Sequence, residues 1–350
     1  MKSRKNILRL LALLILTVTL LLSFSACGKS NKKIAKINFA LDWTPNTNHT
    51  GLYVAKALGY YKAEGLDVNI QQVGETGTSS LVATGKMQFG IDFQEQMYAN
   101  YHSGVNVTAI ASLIQHNTSG ILSLKEKGIN SPKDMADKKY STWGLAVEQT
   151  IIENLIKQDG GVLPADIKKL YYPNLTTDPI TTINKGFADS AWVYEAWDAL
   201  KARLENPDKY NYFALRDFDK DLDWYTPVFI GNNNYMKSHK KQTEAFLRAT
   251  RKGYEYAMKY PEKAAEIFMN ANPEYMTPKE SKELIIESQK ILAKKYYEKG
   301  DKGWGYIDGA RWRAFYKYLN NHKAEIAQKS GLDSLNNIPE DYGYTNEYIN

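Results

Sequence analysis

The chain has 350 residues, enough for two domains of ordinary size, and its 43% hydrophobic and 24% charged content is that of a globular protein, not a disordered one. The formal charge is +6 at pH 7, and setting aside Lys2, Arg4, Lys5 and Arg9 leaves about +2, which gives no footing for nucleic-acid binding. Cys27 is the single cysteine, so an intrachain disulfide and a Cys-based metal site are excluded, and the five histidines at 49, 102, 116, 239 and 322 lack a metal spacing such as H-E-x-x-H.

In chain order, the four basic residues precede a charge-free run at 10–24, "LLALLILTVTLLLSF". It is short for a membrane span, which needs about 20 residues, and suits the apolar core of an export signal. Ser25 and Ala26 then precede Cys27, an arrangement resembling a bacterial lipobox, with Phe24 standing where Leu is usual. The expectation is a signal peptide at 1–26, lipidation of Cys27 and a polar tether at 27–35.

"KINFALD" (36–42) alternates apolar residues as a strand does, "GLYVAKALGYYKAEG" reads as a helix ending at Gly65, and "LDVNIQQV" as a second strand. This predicts a βαβ unit with a right-handed crossover. A Gly-rich turn at 74–80 leads into a short helix, "MQFGID" is a strand followed by a polar turn at 92–95, and "VNVTAIASLIQH" is a strand ending at Gln115 and His116. A second set follows. Ser131 precedes Pro132 as a cap precedes the first helical position. "KKYSTWG" and "SAWVY" are strands, each followed by a helix, and "KKLYYPN" is a strand between them. "TPVFIGN" is a return strand, and 240–325 is nearly all helical. The polar turns at 42–50, 74–80, 92–95, 115–118, 141–148 and 192–198 all fall at C-terminal strand ends, where open α/β sheets collect ligands.

The segments "LDWTPNTNHTGLYVAKALGYYKAEGLDV", "FGIDFQEQ", "SLIQHNTSGI", "STWGLAVE", "SAWVYEAWDA" and "YTPVFIGNNNYMKSH" occur in this order. Together they resemble the solute-binding lipoproteins of ABC importers in the thiamine-pyrimidine-precursor group, over roughly 36–320. "LDWTPNTNHTG" is the most specific part. The resemblance implies an α/β type II periplasmic-binding fold, two lobes with a hinged cleft and a helical C-terminal tail. Lobe 1 would comprise 36–117 and 226–350, and lobe 2 118–225, with crossings near 116–119 and 224–227. It implies no cofactor, a small-molecule ligand with an aminopyrimidine favoured, an ABC permease as partner, and a monomer lipid-anchored at the extracytoplasmic face of a bacterial membrane. Relatives of the same fold that bind riboflavin, or an alkanesulfonate or taurine, form the alternative. Fungal pyrimidine synthases share the fold but carry a Cys-rich segment that this chain lacks, which disfavours an enzyme. A structural adhesin or sensor lipoprotein would leave the cleft residues unexplained.

Residue chemistry narrows the ligand independently. Binders of carboxylate or sulfonate usually present Arg, whose planar fork matches such anions. After the export signal the arginines are Arg203, Arg216, Arg248, Arg251, Arg311 and Arg313, and none lies in the candidate turns. Aromatic residues do: Trp43, Trp143 and Trp192, with Tyr194 and Tyr225 close by, suit stacking on a flat ring. Asp42, Glu95, Glu148 and Glu195 suit amino groups, because an ionised carboxylate only accepts hydrogen bonds, while Asn48, His49 and Gln94 donate as well as accept. Each has a plainer role too. Trp43, Trp143 and Trp192 fit a helix–sheet core, Asn48 and His49 a helix cap, and Glu195 a first-turn charge matched to the helix dipole. The turn at 77–80 suits either a phosphate or a simple cap.

Overall fold

Alternation carries through to burial in the first strand, β1 (Ala35–Leu41), where Ile37, Phe39 and Leu41 are sealed in the core. The computed structural model describes residues 34–73, 77–173, 178–275, 279–297 and 301–349. Cys27, the signal segment, all of the tether but Ile34 and Ala35, and residues 74–76 of the Gly-rich turn lie outside the described residues. Lys36–Asn350 forms one compact unit, and the architecture below is that of this unit.

Two five-stranded sheets build it. The first has the order β2-β1-β3-β10-β4, with β2 at Leu66–Gln72, β3 at Phe89–Asp92, β4 at Thr108–Ser112 and β10 at Val228–Gly231. β1 and β3 run parallel, and β10 lies antiparallel to both β3 and β4. β3 and β10 are buried along their whole length, which accounts for their apolar or small residues, with Asp92 at the end of β3 the exception. The second sheet has the order β7-β6-β8-β5-β9, with β5 at Ser119–Leu124, β6 at Tyr140–Thr142, β7 at Tyr171–Pro173, β8 at Ser190–Tyr194 and β9 at Tyr210–Ala214. Here β6 is parallel to β7 and β8, and β5 is antiparallel to β8 and β9. Each sheet thus holds one antiparallel strand, β5 or β10, and each is the first strand laid down after the chain changes sheet.

The two crossings, 113–118 and 215–227, lie side by side. The Asn117 amide donates to Asp223 Oδ1 at 2.8 Å, His116 Nδ1 lies 2.7 Å from Asp223 Oδ2, and Asn117 Nδ2 donates to the Leu222 carbonyl. Paired connecting segments of this kind are where a two-lobed molecule hinges.

The expected first helix is broken in two. Thr50–Ala57 ends before Gly59, which takes the left-handed conformation at φ 73°, and Tyr60–Ala63 follows. Gly51 and Gly253 explain how closely Thr50–Ala57 meets the helix Lys240–Lys259: a Cβ on Gly253 would stand 2.0 Å from the Gly51 carbonyl oxygen. Lys240–Lys259 buries Phe246, Leu247, Thr250, Tyr254 and Ala257 on one stripe, the spacing of a core-facing helix. Burying a side chain such as Phe246 contributes about 1.5–3 kcal/mol.

The C-terminal helices, assigned above to the first lobe, also reach the second. Lys295 and Tyr296 bond Glu195, Lys329 lies 2.7 Å from Glu153, and Asn154 Nδ2 contacts His322 and Glu325. The tail therefore belongs to both lobes physically, because its exposed polar faces find partners on the helix Ala146–Gln158 and on the turn after β8.

Candidate functional site

The polar knot after β1 is built around His49. Asn46 caps the turn Thr47–His49 by accepting from the Asn48 amide at 3.0 Å, while its own amide donates to His49 Nδ1 at 3.1 Å. An accepting Nδ1 requires the proton on Nε2, which therefore donates to Asp42 Oδ1 at 2.7 Å. His49 is fully buried with both ring nitrogens used. It cannot also bond a ligand edge, and its work is to orient the Asp42 carboxylate. The tail braces the knot from behind: Tyr254 Oη donates to the Asn48 carbonyl, Tyr297 Oη to the Thr47 carbonyl, and Thr47 Oγ1 meets Ser288 Oγ at 2.6 Å. Trp43 is left 55% exposed, and its ring pairs with no other aromatic ring among the described residues.

Gln94 and Tyr225, proposed above as ligand contacts, engage their polar groups within the protein. Gln94 is wholly buried, accepts from the Tyr225 amide at 3.0 Å and donates to the Trp312 carbonyl at 2.9 Å. The Tyr225 hydroxyl accepts from the Asp308 amide, and the Arg311 guanidinium stands 4.7 Å above its ring. Glu148 is also saturated. It accepts from Tyr140 Oη at 2.5 Å, Thr142 Oγ1 at 3.1 Å and the amides of Trp143 and Leu145, so it pins the turn that carries Trp143. Burial holds the Glu148 carboxyl above its ordinary range in spite of those donors. For Glu195, burial would also raise the carboxyl, but hydrogen bonds from Lys295 and Tyr296 outweigh it and hold the group below its usual value. Both oxygens of Glu195 are engaged with the tail. Two hydroxyls of the short turn at 77–80 are spent as well, Thr78 on the Leu41 carbonyl and Ser79 on Asp92.

Four of the sequence-predicted residues do meet. Glu95, Trp143, Glu148 and Trp192 line one cavity of about 430 Å³, within the range of small-molecule sites. Its walls come from the helix Gln94–His102, from the turn and helix at 143–151, from the end of β8, and from 326–335 of the tail. Trp143 is 47% exposed, whereas Trp192 is 8% exposed and packs 6.1 Å from Trp224. Trp224 stacks on Phe315 at 4.6 Å and aims its indole N–H at Glu95 Oε2, 2.7 Å away, and Thr226 Oγ1 donates to the other carboxylate oxygen at 3.1 Å. Burial, offset only in part by these bonds, pushes the Glu95 carboxyl up to about 7. Nearby Asp92, 4% exposed, and Asp198 are pushed up to about 6 by the same cause.

Tyr194, the last residue of β8, stands among these groups and is 40% exposed. Desolvation in the cleft, with the negative charges of Glu95, Asp198, Asp42 and Glu148, pushes its hydroxyl above the ordinary range. Carboxylates of both lobes therefore surround one phenol. Among the described residues, the one lysine in the cavity wall, Lys329, is paired with Glu153. Such a surface attracts amines and repels anions. Among the described residues, no group of three or more His, Cys, Asp or Glu is placed to hold a metal ion, and no helix is long and apolar enough to cross a membrane.

Trp224 and the tail residues of the wall were missing from the sequence-predicted set, and Tyr194 was placed only close to the candidate turns. Tyr194 had a signal, as the residue ending a strand immediately before a polar turn. Trp224 and the residues at 326–335 had none, since only tertiary contact brings them to the cavity.

Comparisons with known proteins agree with this architecture. The chain is 26% identical over 332 residues to a formylaminopyrimidine-binding protein of Halalkalibacterium halodurans, covering 92% of this chain and 94% of that one. It is 26% identical over 247 residues to a 4-amino-5-hydroxymethyl-2-methylpyrimidine phosphate synthase of Legionella pneumophila, covering 70% and 76%. The alkanesulfonate-binding protein SsuA of Xanthomonas axonopodis pv. citri superposes with a TM-score of 0.64 at 8% identity, over 89% of this chain and 98% of that one. A putative sulfonate-binding SsuA of Methylobacillus flagellatus superposes with a TM-score of 0.61 at 14% identity, over 91% and 93%. The fold is thus the two-lobed α/β fold of periplasmic binding proteins. Residues 46–264 match the family described as NMT1/THI5 like, and the chain belongs to that family.

Proposed function

We propose that this protein is the extracytoplasmic substrate-binding component of an ABC importer and captures an aminopyrimidine, a thiamine pyrimidine precursor, in the cleft between its lobes for delivery to a permease. The observation that carries the proposal is the cavity itself: tryptophan and tyrosine faces around a buried carboxyl, Glu95, with carboxylates on both lobes and no arginine in the wall. An aminopyrimidine edge presents an amine that donates and a ring nitrogen that accepts. A carboxyl near neutrality on its titration answers both, accepting through one oxygen and, when protonated, donating through the other. Trp143 and Trp192 supply stacking faces, Tyr194 a face or an edge, and Trp43 with Asp42 the outer lip. Asn48, His49, Gln94, Glu148, Glu195 and Tyr225 hold those groups in place. The near full-length likeness to a formylaminopyrimidine-binding protein supports the ligand class.

The same proposal includes an export signal at 1–26, lipid attachment at Cys27, a monomeric protein and two lobes that close by bending at the paired crossings. It does not include a synthase role, since the chain has a single cysteine and so lacks the Cys-rich segment expected of the fungal synthases. Purified protein is denatured and any released small molecule identified by mass and absorbance, and calorimetric titration follows with 4-amino-5-hydroxymethyl-2-methylpyrimidine, taurine and riboflavin. Binding of the pyrimidine alone is expected. Release of a yellow flavin, or tighter binding of taurine, overturns the proposal.

A further inference from the structure

Five residues of the helix Gln94–His102 line the cavity, and three of them, Glu95, Tyr98 and His102, carry a titratable group aligned along it. Their spacing, three and then four residues, places them in one stripe along the helix. At a rise of about 1.5 Å per residue, the stripe is about 10 Å long. Glu95 at one end is bonded to Trp224 and Thr226. The other end is unsatisfied. Tyr98 is 1% exposed and its hydroxyl has no hydrogen-bond partner among the described residues, and His102 Nε2 is likewise buried and without one. The two rings meet edge to face at 4.7 Å, so two unpaired polar atoms belong to one small patch of wall. Buried polar groups are almost always paired, and leaving two adjacent ones unpaired costs stability. A site that folds with that cost has reason to be completed by something that enters it.

We infer that Tyr98 and His102 form a second polar subsite of the cavity, which reads an uncharged hydroxyl or amide arm on the ligand while Glu95 reads the ring's amine. The inference rests on the aminopyrimidine reading of the same cavity and adds a requirement to it: the ring must carry a polar arm pointing along the helix, away from the amine. The arm meets the two atoms as the lobes close over it. A neutral arm suits the subsite better than a charged one. Burial lowers the proton affinity of His102, so its imidazole is uncharged near neutral pH and offers one donor or one acceptor. Tyr98 supplies a hydroxyl that does both. A phosphate or carboxylate would bring to this end a charge that no cation in the wall is free to meet, since Lys329 is paired with Glu153. The apolar side chains Leu332 and Leu335 also line the cavity.

The test measures two probes on the full-length protein by calorimetric titration: 4-amino-2,5-dimethylpyrimidine, which lacks a polar arm, and 4-amino-5-hydroxymethyl-2-methylpyrimidine, which has one. Wild type should bind the armed probe more tightly. Tyr98→Phe and His102→Phe should each lose about 5- to 10-fold for the armed probe, the range for one hydrogen bond, and leave the unarmed probe nearly unchanged. Melting curves without ligand accompany both variants, and Tyr98→Phe should melt no lower than wild type because an unpaired buried hydroxyl has been removed. Equal affinity of wild type for the two probes, or equal losses for both probes in the variants, overturns the second subsite but leaves the aminopyrimidine reading standing. Failure of wild type to bind either probe overturns that reading and the subsite with it.

Discussion

Replacing Glu95 by Gln offers a direct reading of the cavity's electrostatics. Burial raises the Glu95 carboxyl from 4.5 to about 7 in the folded protein. Between those values the folded state holds a proton that the unfolded chain has released. Stability therefore falls as pH rises from about 4.5 to about 7, and is flat above. At about 1.4 kcal/mol per pH unit, a window of roughly 2.5 units gives at most about 3 kcal/mol. Glutamine imitates the protonated form. Its carbonyl can accept from Trp224 Nε1, and Thr226, a hydroxyl, can turn to accept from the amide instead of donating. Glu95→Gln should therefore match wild type near pH 4.5 and exceed it by up to about 3 kcal/mol at pH 8. Urea unfolding of both proteins at pH 4.5, 6, 7 and 8 measures the gap. Asp92 and Asp198 add slopes of the same sign, but they do so in both proteins and largely cancel in the difference. A gap that does not change with pH would show that Glu95 is charged in the folded protein throughout, and the argument for a carboxyl poised near neutrality would fail.

Other substitutions separate ligand contact from support. Trp43→Ala should weaken pyrimidine binding by roughly 2–4 kcal/mol, as loss of an aromatic anchor does. Its melting temperature should barely move, because the side chain is 55% exposed without ligand; a large stability loss with unchanged affinity would make Trp43 a core residue. Glu148→Ala strands the donors of Tyr140, Thr142, Trp143 and Leu145 and should cost about 3 kcal/mol or more of folding stability, seen in a denaturant midpoint. An unchanged midpoint would refute its role as the pin of the Trp143 turn. Cys27→Ser should release the protein from membranes into the soluble fraction, assayed by fractionation and mass, since stable attachment needs the acyl chains. Membrane partition of the variant after full signal cleavage would refute lipid anchoring at Cys27.

Much of the scaffold was legible because it rests on local pattern. Alternation marked β1, the continuous apolar run "SAWVY" marked β8, and Gly or Pro marked most ends. The helix break at Gly59 was missed because a glycine inside a periodic run reads as tolerable until its backbone turns left-handed. At the cavity, residue type reached four of the lining residues, Glu95, Trp143, Glu148 and Trp192, but could not assign their partners. Trp43 and Trp192 are the same residue, yet one is 55% exposed and the other 8%. Glu95 and Glu148 both line the cavity, yet Glu148 spends its oxygens on its own turn and Glu95 faces an indole from 129 positions away. That difference comes from which long-range partners arrive, and no local pattern encodes it.

Charge explains how one scaffold can serve opposite ligands. The backbone here superposes on an alkanesulfonate-binding protein at only 8% identity, so the fold is indifferent to the sign of what lies between the lobes. The sign is set by a few side chains at strand ends. In this chain those positions hold Asp42, Asp92, Glu95, Glu148 and Asp198, and the cation nearest the cavity is tied to Glu153. Four of these carboxyl groups act on the Tyr194 phenol, and desolvation, with a smaller contribution from neighbouring charges, drives Asp92, Glu95 and Asp198 upward. A ligand that donates hydrogen bonds relieves that crowding, whereas an anion adds to it. On the aminopyrimidine reading proposed above, discrimination against a sulfonate would come from these carboxyl groups, without a dedicated repulsive residue.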